Sequence, residues 1–340
     1  DAMPEMGYLH SGFEKIGEHL SFNQYVTVTD RMNYISPMAN NVAWHHAVEK
    51  LLGIEVTPRC VYIRTIVAEL SRISDHLLCN GAVGLDTGAL TFFLYAFQQR
   101  EVIYDIFETL CGARFTTSYT RVGGLSQDIT PLVVEKIRSF LKTFPKTLVD
   151  MERLLTRNRI FVDRTKGVGV LSKSEAIARG ATGPIARASG VTRDLRKDEP
   201  YLAYNDFDFS VPCATAGDCY ARYLVRMDEM RESLRIVSQA VENIPAGPVD
   251  IGIDQRIARP DKKQVYSTIE GTISHFELSM SNRGFEVPFE ESYAAIEAPN
   301  GELGFYLVGD GNETAYRARC RPPSLLHFAL FPHPIRGHTL

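Results

Sequence analysis

The sequence predicts a mainly α protein: a central bundle of four to six helices with a small α/β N-terminal part and C-terminal β hairpins. Three observations lead there. Apolar residues recur at helical spacing through long stretches between Asn40 and Asn158. Alternating, strand-like segments gather around a Pro299-Asn300-Gly301 turn near the C-terminus. A chain of 340 residues that is 44% hydrophobic and 23% charged has an ordinary globular composition and ample length for a buried core.

The elements follow in order. Residues 1–37 read as the remnant of an α/β region: Met6 to Lys15 opens as a short strand-like piece and enters a helix near Phe13. Residues 38–285 form the bundle. Its first helix, Asn40 to Leu52, carries Val42, Ala43, His46, Ala47 and Leu51 on one side and stops at Gly53. Pro58 opens the next helix, expected to close at Asn80-Gly81, with Ile66, Leu70, Ile73 and Leu77 as its stripe. A third, from about Ala89 to Leu110, is apolar nearly all round at its start, which predicts a central position. Tyr119 to Gly124 is a turn. Pro131 then begins a long amphipathic helix to about Asn158, which Pro145 should kink or divide.

Within the bundle, residues 159–215 form an irregular, glycine-punctuated insertion with one short helix near Lys173–Arg179, the kind of region that carries function or binds a partner. Gly217 to Asn243 follows as a helix laced with Arg222, Arg226, Asp228, Glu229, Arg231, Glu232 and Arg235, read mostly as a solvated or subunit-facing surface. Lys262–Asn282 is the last long helix. Residues 286–340 are β-rich and truncated, with strands at Glu291–Glu297, Gly304–Val308 and Ala315–Cys320. The whole is effectively one domain. Because the chain begins at Asp1 and stops after an interior-looking segment, it reads as a fragment lacking both ends.

Composition narrows function. A net charge of -4 gives no general reason to expect nucleic acid or an anionic membrane as partner. No apolar run approaches the roughly 20 residues that span a bilayer, so membrane association would come through partner subunits. Six cysteines at 60, 79, 111, 213, 219 and 320 form no CxxC pair, so no metal is expected on this chain alone. Gly167-Val168-Gly169 and Gly180-Ala181-Thr182-Gly183 do not follow a strand and open a helix in a phosphate-binding pattern.

Ionisable residues crowd the stretch from Arg31 to Asp86. Glu69 and Arg72 are spaced as a helical ion pair, which serves either helix register or chemistry. His45, His46 and His76 are ligands or bases, or hydrogen-bonded core residues, the commoner case. Asp86, between Gly84-Leu85 and Thr87-Gly88, is either a helix N-cap or a carboxylate that orients or exchanges a proton in a cavity. Tyr34 is a core residue or a phenol able to donate to a carbonyl oxygen.

Ordered stretches across the chain carry a resemblance. They include Gly7-Tyr8-Leu9-His10, Gly12-Phe13-Glu14-Lys15, Arg31-Met32-Asn33-Tyr34, Glu69-Leu70-Ser71-Arg72-Ile73, His76-Leu77 and Asp86-Thr87-Gly88-Ala89-Leu90-Thr91. Arg121-Val122-Gly123-Gly124, Arg187-Ala188-Ser189-Gly190, Asp194-Leu195-Arg196, Pro200-Tyr201, Arg226-Met227 and Glu229-Met230 continue them. Ala298-Pro299-Asn300-Gly301-Glu302-Leu303-Gly304 and Arg321-Pro322-Pro323-Ser324 close the set. Together they resemble the 49 kDa, or D-type, subunits of the NADH:quinone oxidoreductases, respiratory complex I. That family is related to the large subunits of nickel–iron hydrogenases, whose fold the resemblance implies.

The resemblance implies a quinone-binding subunit of the hydrophilic arm of a proton-translocating enzyme, inactive alone. With an adjacent iron–sulfur chain of the B type, which holds a 4Fe–4S cluster, it would form the cavity where quinone is reduced. Other hydrophilic-arm subunits and a membrane-arm subunit at the quinone entrance are the further implied partners, at the cytoplasmic face of the bacterial inner membrane. Tyr34 matches the headgroup-binding tyrosine, and Asp86 the aspartate that orients the second headgroup ligand, a histidine. His10, Arg31, Arg72 and His76 are implied as support for the quinone site, and Ser11, Thr116 and Arg121 lie near the partner's cluster.

The family's histidine loop would precede Asp1; Ser11 stands where many relatives have an arginine, and Thr116 where some have a histidine. Ubiquinone and menaquinone both stay open. The alternatives are a hydrogenase-like or other donor-linked membrane oxidoreductase, disfavoured because Met32-Asn33-Tyr34-Ile35 stands where a CxxC would lie, and a non-catalytic docking scaffold.

Overall fold

The computed structural model describes residues 2–252, 257, 260–280 and 284–338. The N-terminal segment holds two short helices, α1 (Phe13–Gly17) and α2 (Val26–Thr29). The expected strand before Phe13 is irregular chain; the sheet-like pairing in this segment is an isolated bridge from Ser21 to Thr314.

Helix α3 (Pro37–Leu52) starts on a proline and ends at Gly53, whose φ of 64° gives it a left-handed cap. Helix α4 (Pro58–Asp86) lies at the middle of the bundle, against α3, α5 (Leu90–Cys111) and the later helix α11 (Cys219–Glu242). Its stripe of Ile63, Ile66, Leu70, Ile73 and Leu77 is fully buried, each side chain contributing about 1.5–3 kcal/mol.

α4 continues past the expected stop at Asn80-Gly81. The reason lies in packing. A Cβ at Gly84 would sit 2.7 Å from Cδ1 of Phe92 on α5, and one at Gly81 would be 3.3 Å from Cβ of Ala96. These glycines let two backbones approach, and the turn comes later, at Gly88 with φ 93°. Asp86 is therefore the last residue of α4 and not an N-cap; Ala89 precedes α5 without a side-chain cap.

The apolar start of α5 is only half buried. Phe92 and Ala96 face the bundle, whereas Leu90, Leu94 and Tyr95 are exposed. A two-residue hairpin, β1 (Thr120–Arg121) with β2 (Gly124–Leu125), follows, then α6 (Pro131–Leu155), which stays one helix through Pro145.

The insertion is more ordered than expected. Four short helices, α7 (Arg159–Thr165), α8 (Lys173–Ala178), α9 (Gly183–Ala188) and α10 (Leu195–Asp198), precede a 3-10 turn at Tyr204–Asp206. Local caps define them: Asn158 caps α7, Ser172 and Glu175 form a capping box on α8, and Asp194 caps α10. Gly183 has a packing role, since a Cβ there would lie 2.5 Å from the Cα of Gly301.

Helix α11 (Cys219–Glu242) corrects a second expectation. Asp228 and Arg235 face solvent, but Arg226, Glu229 and Ser233 are buried with Met227 and Met230. The stretch expected as one helix over Lys262–Asn282 is two, α12 (Lys262–Ser267) and α13 (Ile269–Ser279), divided at extended Thr268, whose hydroxyl caps α13; Asn282 lies outside the described residues. The C-terminal part forms an antiparallel sheet, β3 (Glu291–Ala298), β4 (Gly301–Val308) and β5 (Arg317–Arg321), in that order. Ala298 pairs with Gly301 across the Pro299-Asn300 turn. Ile296 and Phe305 join the core against α3, with Phe305 edge-on to Trp44 at 5.3 Å. Helix α14 (Pro323–Leu330) follows the sheet.

Candidate functional site

Tyr34 sits on the loop between α2 and α3, and that loop is clamped from three sides. Asn33 donates from Nδ2 to Ser36 Oγ at 2.8 Å and to Asp75 Oδ2 of α4 at 2.9 Å. Asn40 donates to the carbonyls of Asn33 at 3.0 Å and Thr29 at 2.9 Å. Buried polar groups that are hydrogen-bonded in this way fix a loop's path. Tyr34 itself is 55% exposed, its ring 5.8 Å from that of Phe115, and its hydroxyl has no hydrogen-bond partner among the described residues. It is not a core residue.

Phe115 belongs to the loop after α5, so the structure brings Thr116 into the neighbourhood of Tyr34. The two loops are tied by Asp30, which accepts from the backbone N–H of Ser118 at 2.9 Å and its hydroxyl at 2.5 Å. Burial pushes the Asp30 carboxyl up despite these donors. Thr116 is exposed. Arg121 is half-buried and donates to the carbonyls of Ser118 and Thr120.

Asp86 is exposed at the end of α4, without a hydrogen-bond or ion-pair partner among the described residues. It lies 11 residues beyond Asp75, about 16 Å along α4 and within roughly 20° of the same face. The loop beyond it is held by Arg164, which donates to the Thr87 carbonyl at 2.9 Å. His10 and Ser11 are exposed on the N-terminal loop, and the Nδ1 of His10 accepts from Gly12 at 3.0 Å. Arg31 is exposed and donates to the Thr27 carbonyl at 2.5 Å. A cavity of about 620 Å³ is bordered by His10, Met32, Asn33, Ala298, Asn300 and Pro323, among others. Tyr34 and Asp86 do not border it.

Arg72 and His76 lie elsewhere, inside a wholly buried charge cluster. Arg72 Nε is 3.2 Å from Glu69 Oε2 and its Nη2 donates to the Glu297 carbonyl. His76 Nε2 is 2.7 Å from Glu229 Oε2. Arg187 bridges Glu229 at 2.9 Å and Glu297 at 2.7 Å, and Arg196 bridges Asp194 at 2.7 Å and Glu69 at 3.3 Å. Tyr204 and Ser233 each donate to Glu69 at 2.6 Å. Burial favours the neutral carboxyl, but Arg187 and His76 hold Glu229 well below the usual carboxylate range. Burial holds His76 below its ordinary value even beside that carboxylate. Arg72 and His76 stay out of solvent, and the cluster as a whole knits α4 to α9, α10, α11 and β3.

Sequence reasoning found the Glu69–Arg72 pair but missed Arg187, Asp194, Arg196, Glu229 and Glu297 as its partners. The available signal was charge in apolar surroundings on several separate short elements. His45 is likewise a core residue, its Nδ1 2.6 Å from Thr120 Oγ1, whereas His46 lies beside Tyr201 with rings 6.0 Å apart.

Among the described residues no group of three or more His, Cys, Asp or Glu side chains could hold a metal ion. No described helix is long and apolar enough to cross a membrane. Comparison with known proteins is decisive about family. A model of the respiratory-chain NADH dehydrogenase 49 kDa subunit matches residues 86–340. The D-type NADH-quinone oxidoreductase subunit of Methylacidiphilum infernorum is 48% identical over 339 residues, covering 100% of this chain and 80% of that protein. A D-type subunit of Opitutus terrae is 49% identical over 336 residues, covering 99% and 78%. The D-type subunit of Myxococcus xanthus is 49% identical over 337 residues, covering 99% and 80%. The chain therefore belongs to the 49 kDa, or D-type, family of the respiratory-chain NADH dehydrogenases, and is a subunit of an NADH-quinone oxidoreductase complex.

Proposed function

We propose that this chain is the quinone-binding subunit of the complex, forming with an adjacent iron–sulfur subunit the cavity where quinone is reduced. One observation carries the reading: Tyr34 and Asp86 each expose a polar group with no partner of its own among the described residues. Their surroundings are well anchored, so the two groups are available without being loose. Reduction of a quinone carbonyl builds negative charge on oxygen, which a fixed phenol stabilises by donating a hydrogen bond. A carboxylate orients a histidine and lets proton transfer accompany the charge change.

In this reading Tyr34 is the donor, and Asp86 orients a histidine outside this chain. Electrons arrive from a 4Fe–4S cluster held by the iron–sulfur subunit, near Ser11, Thr116 and Arg121. His10 and Arg31 support the quinone site, and Arg72 and His76 support it through the buried cluster. The subunit sits peripherally on the cytoplasmic face of a bacterial inner membrane, with a membrane-arm subunit at the quinone entrance. The exposed Leu90, Leu94 and Tyr95 beyond Asp86 offer an apolar surface for a neighbouring chain. The scaffold alternative loses part of its motive, since Arg226 and Glu229 of its charged face are buried.

The test uses Tyr34→Phe and Asp86→Asn in the intact complex. Both are expected to cut NADH:quinone turnover while sparing NADH oxidation by an artificial acceptor. Unchanged quinone turnover in both would overturn the assignment.

A further inference from the structure

The buried cluster carries an odd charge. Among the described residues it combines four carboxylates, Glu69, Asp194, Glu229 and Glu297, with three guanidiniums, Arg72, Arg187 and Arg196. Burial lowers His76 below its ordinary value, and counted with a neutral imidazole the cluster is one proton short of balance. An uncompensated charge in such a setting is costly, so the position of that proton matters.

Two cavities lead to one of the four carboxylates. A polar cavity of about 480 Å³ is bordered by His46, Lys50, Arg193, Tyr201, Leu195 and Glu302. Behind it lies a void of about 30 Å³, bordered by Thr182, Arg193, Leu195, Glu297 and Glu302. Arg193, Leu195 and Glu302 border both, and the void has room for one water. Glu297 is thus the cluster carboxylate that borders a cavity-side void. Its neighbours in sequence and turn, Ala298 and Asn300, border the 620 Å³ cavity, as do Met32 and Asn33 of the Tyr34 loop.

We propose that Glu297 takes up one proton, through the polar cavity and the water-sized void, when negative charge develops at the quinone site. This inference rests on the quinone-site reading of Tyr34 and Asp86. The balance is simple. NADH oxidation supplies two electrons; as they reach the quinone, the Glu297 carboxylate binds a proton from bulk water, forming one O–H bond. It releases that proton when the quinol is neutralised and leaves. Glu297 touches no substrate, so it is a positioning residue that acts through the field.

Every element around Glu297 bears on its protonation. Arg187 of α9 donates to Oε1 at 2.7 Å, and the N–H of Leu195 at the start of α10 donates to Oε2 at 3.2 Å. Arg72 of α4 and Arg196 of α10 add positive charge, Asp194 adds negative charge, and Tyr201 packs with its hydroxyl on the Glu297 backbone. Across the void stand Arg193 and Glu302. Burial raises the Glu297 carboxyl, and the arginines do not fully offset it, whereas Glu69, Asp194 and Glu229 are all lowered.

The experiment compares Glu297→Gln and Glu297→Asp with wild type in the intact complex, reading NADH:quinone turnover from about pH 6 to about pH 9. In the wild type, proton uptake produces an alkaline limb falling by up to about tenfold per pH unit. Glu297→Gln, which mimics the protonated state, is expected to flatten that limb, and Glu297→Asp to keep it at a displaced pH. An assembled Glu297→Gln complex with the wild-type limb would overturn the inference. If Glu297→Gln does not assemble, an undisplaced limb in Glu297→Asp overturns it and a displaced one supports it. Loss of turnover in Tyr34→Phe with an unaltered Glu297→Gln profile would refute this inference alone. Full turnover in Tyr34→Phe and Asp86→Asn would refute the reading beneath it.

Discussion

Replacing Arg187 by Met should strongly destabilise this chain. Arg187 is fully buried and donates to Glu229 at 2.9 Å and Glu297 at 2.7 Å, with Asp194 at 3.5 Å. Methionine approximates the stem but removes the charge, leaving buried carboxylates facing one another. Breaking a buried pair by removing one partner costs about 3–5 kcal/mol. Stabilities of ordinary domains are about 5–15 kcal/mol, so the loss is a large share of the whole.

The sign with pH is fixed by the same contacts. Glu229 owes its lowered pKa to Arg187 against burial, so in the variant it should protonate more readily. The defect should then be smaller at mildly acid pH than at alkaline pH. The assay is the amount of assembled complex in membranes and the thermal inactivation of its NADH:quinone activity, at about pH 6 and about pH 8. Adding Glu229→Gln to Arg187→Met should recover part of the loss. Normal assembly and normal inactivation of the single variant would refute the reasoning.

Other consequences follow from separate regions. Gly84→Val should destabilise by about 1–3 kcal/mol through overpacking, because the new Cβ would meet buried Phe92 at 2.7 Å; pairing it with Phe92→Leu should restore part of the loss, and wild-type inactivation temperature in the single variant would count against the α4–α5 contact. Acid should destabilise the chain through His45, His46, His76 and His327, all lowered by burial, His327 to about 4. Because their folded pKa values lie below the unfolded value, stability is present above about pH 6.5 and is lost as pH falls below it. Faster thermal inactivation at about pH 5 than at about pH 7 is the expected result, and equal rates would contradict it. Arg196→Lys should also weaken the cluster, since lysine cannot reproduce the fork onto Asp194 and Glu69; unchanged assembly and heat resistance would show that charge alone suffices there.

The helices α3, α5 and α6 and the β3–β4 hairpin were legible in the sequence because local rules govern them. Gly53 and Gly112 cap two of those helices with φ of 64° and 80°, and Pro299-Asn300-Gly301 makes the hairpin turn. The failures came where tertiary contacts override local signals. Gly81 and Gly84 resemble a helix stop but serve the close approach of α5, so α4 runs on and Asp86 becomes a terminus instead of a cap. The charges of α11 resemble a solvated face, yet Glu229 is buried because Arg187 and His76 come to it from distant elements. Residue type and spacing singled out Glu69–Arg72 but could not locate Glu297, which is 225 residues along the chain from Arg72. For Tyr34 and Asp86, the sequence indicated candidate chemistry; the fold adds that both are exposed, with about three α4 turns separating Asp86 from the clamp on the Tyr34 loop.

Photolabelling of the intact complex with a quinone bearing a photoreactive group on its headgroup tests the quinone-site reading most directly. Label is expected on the peptides containing Tyr34 and Asp86, suppressed by excess unlabelled quinone. Suppressible label confined to other segments of this chain, or to other subunits, would contradict it.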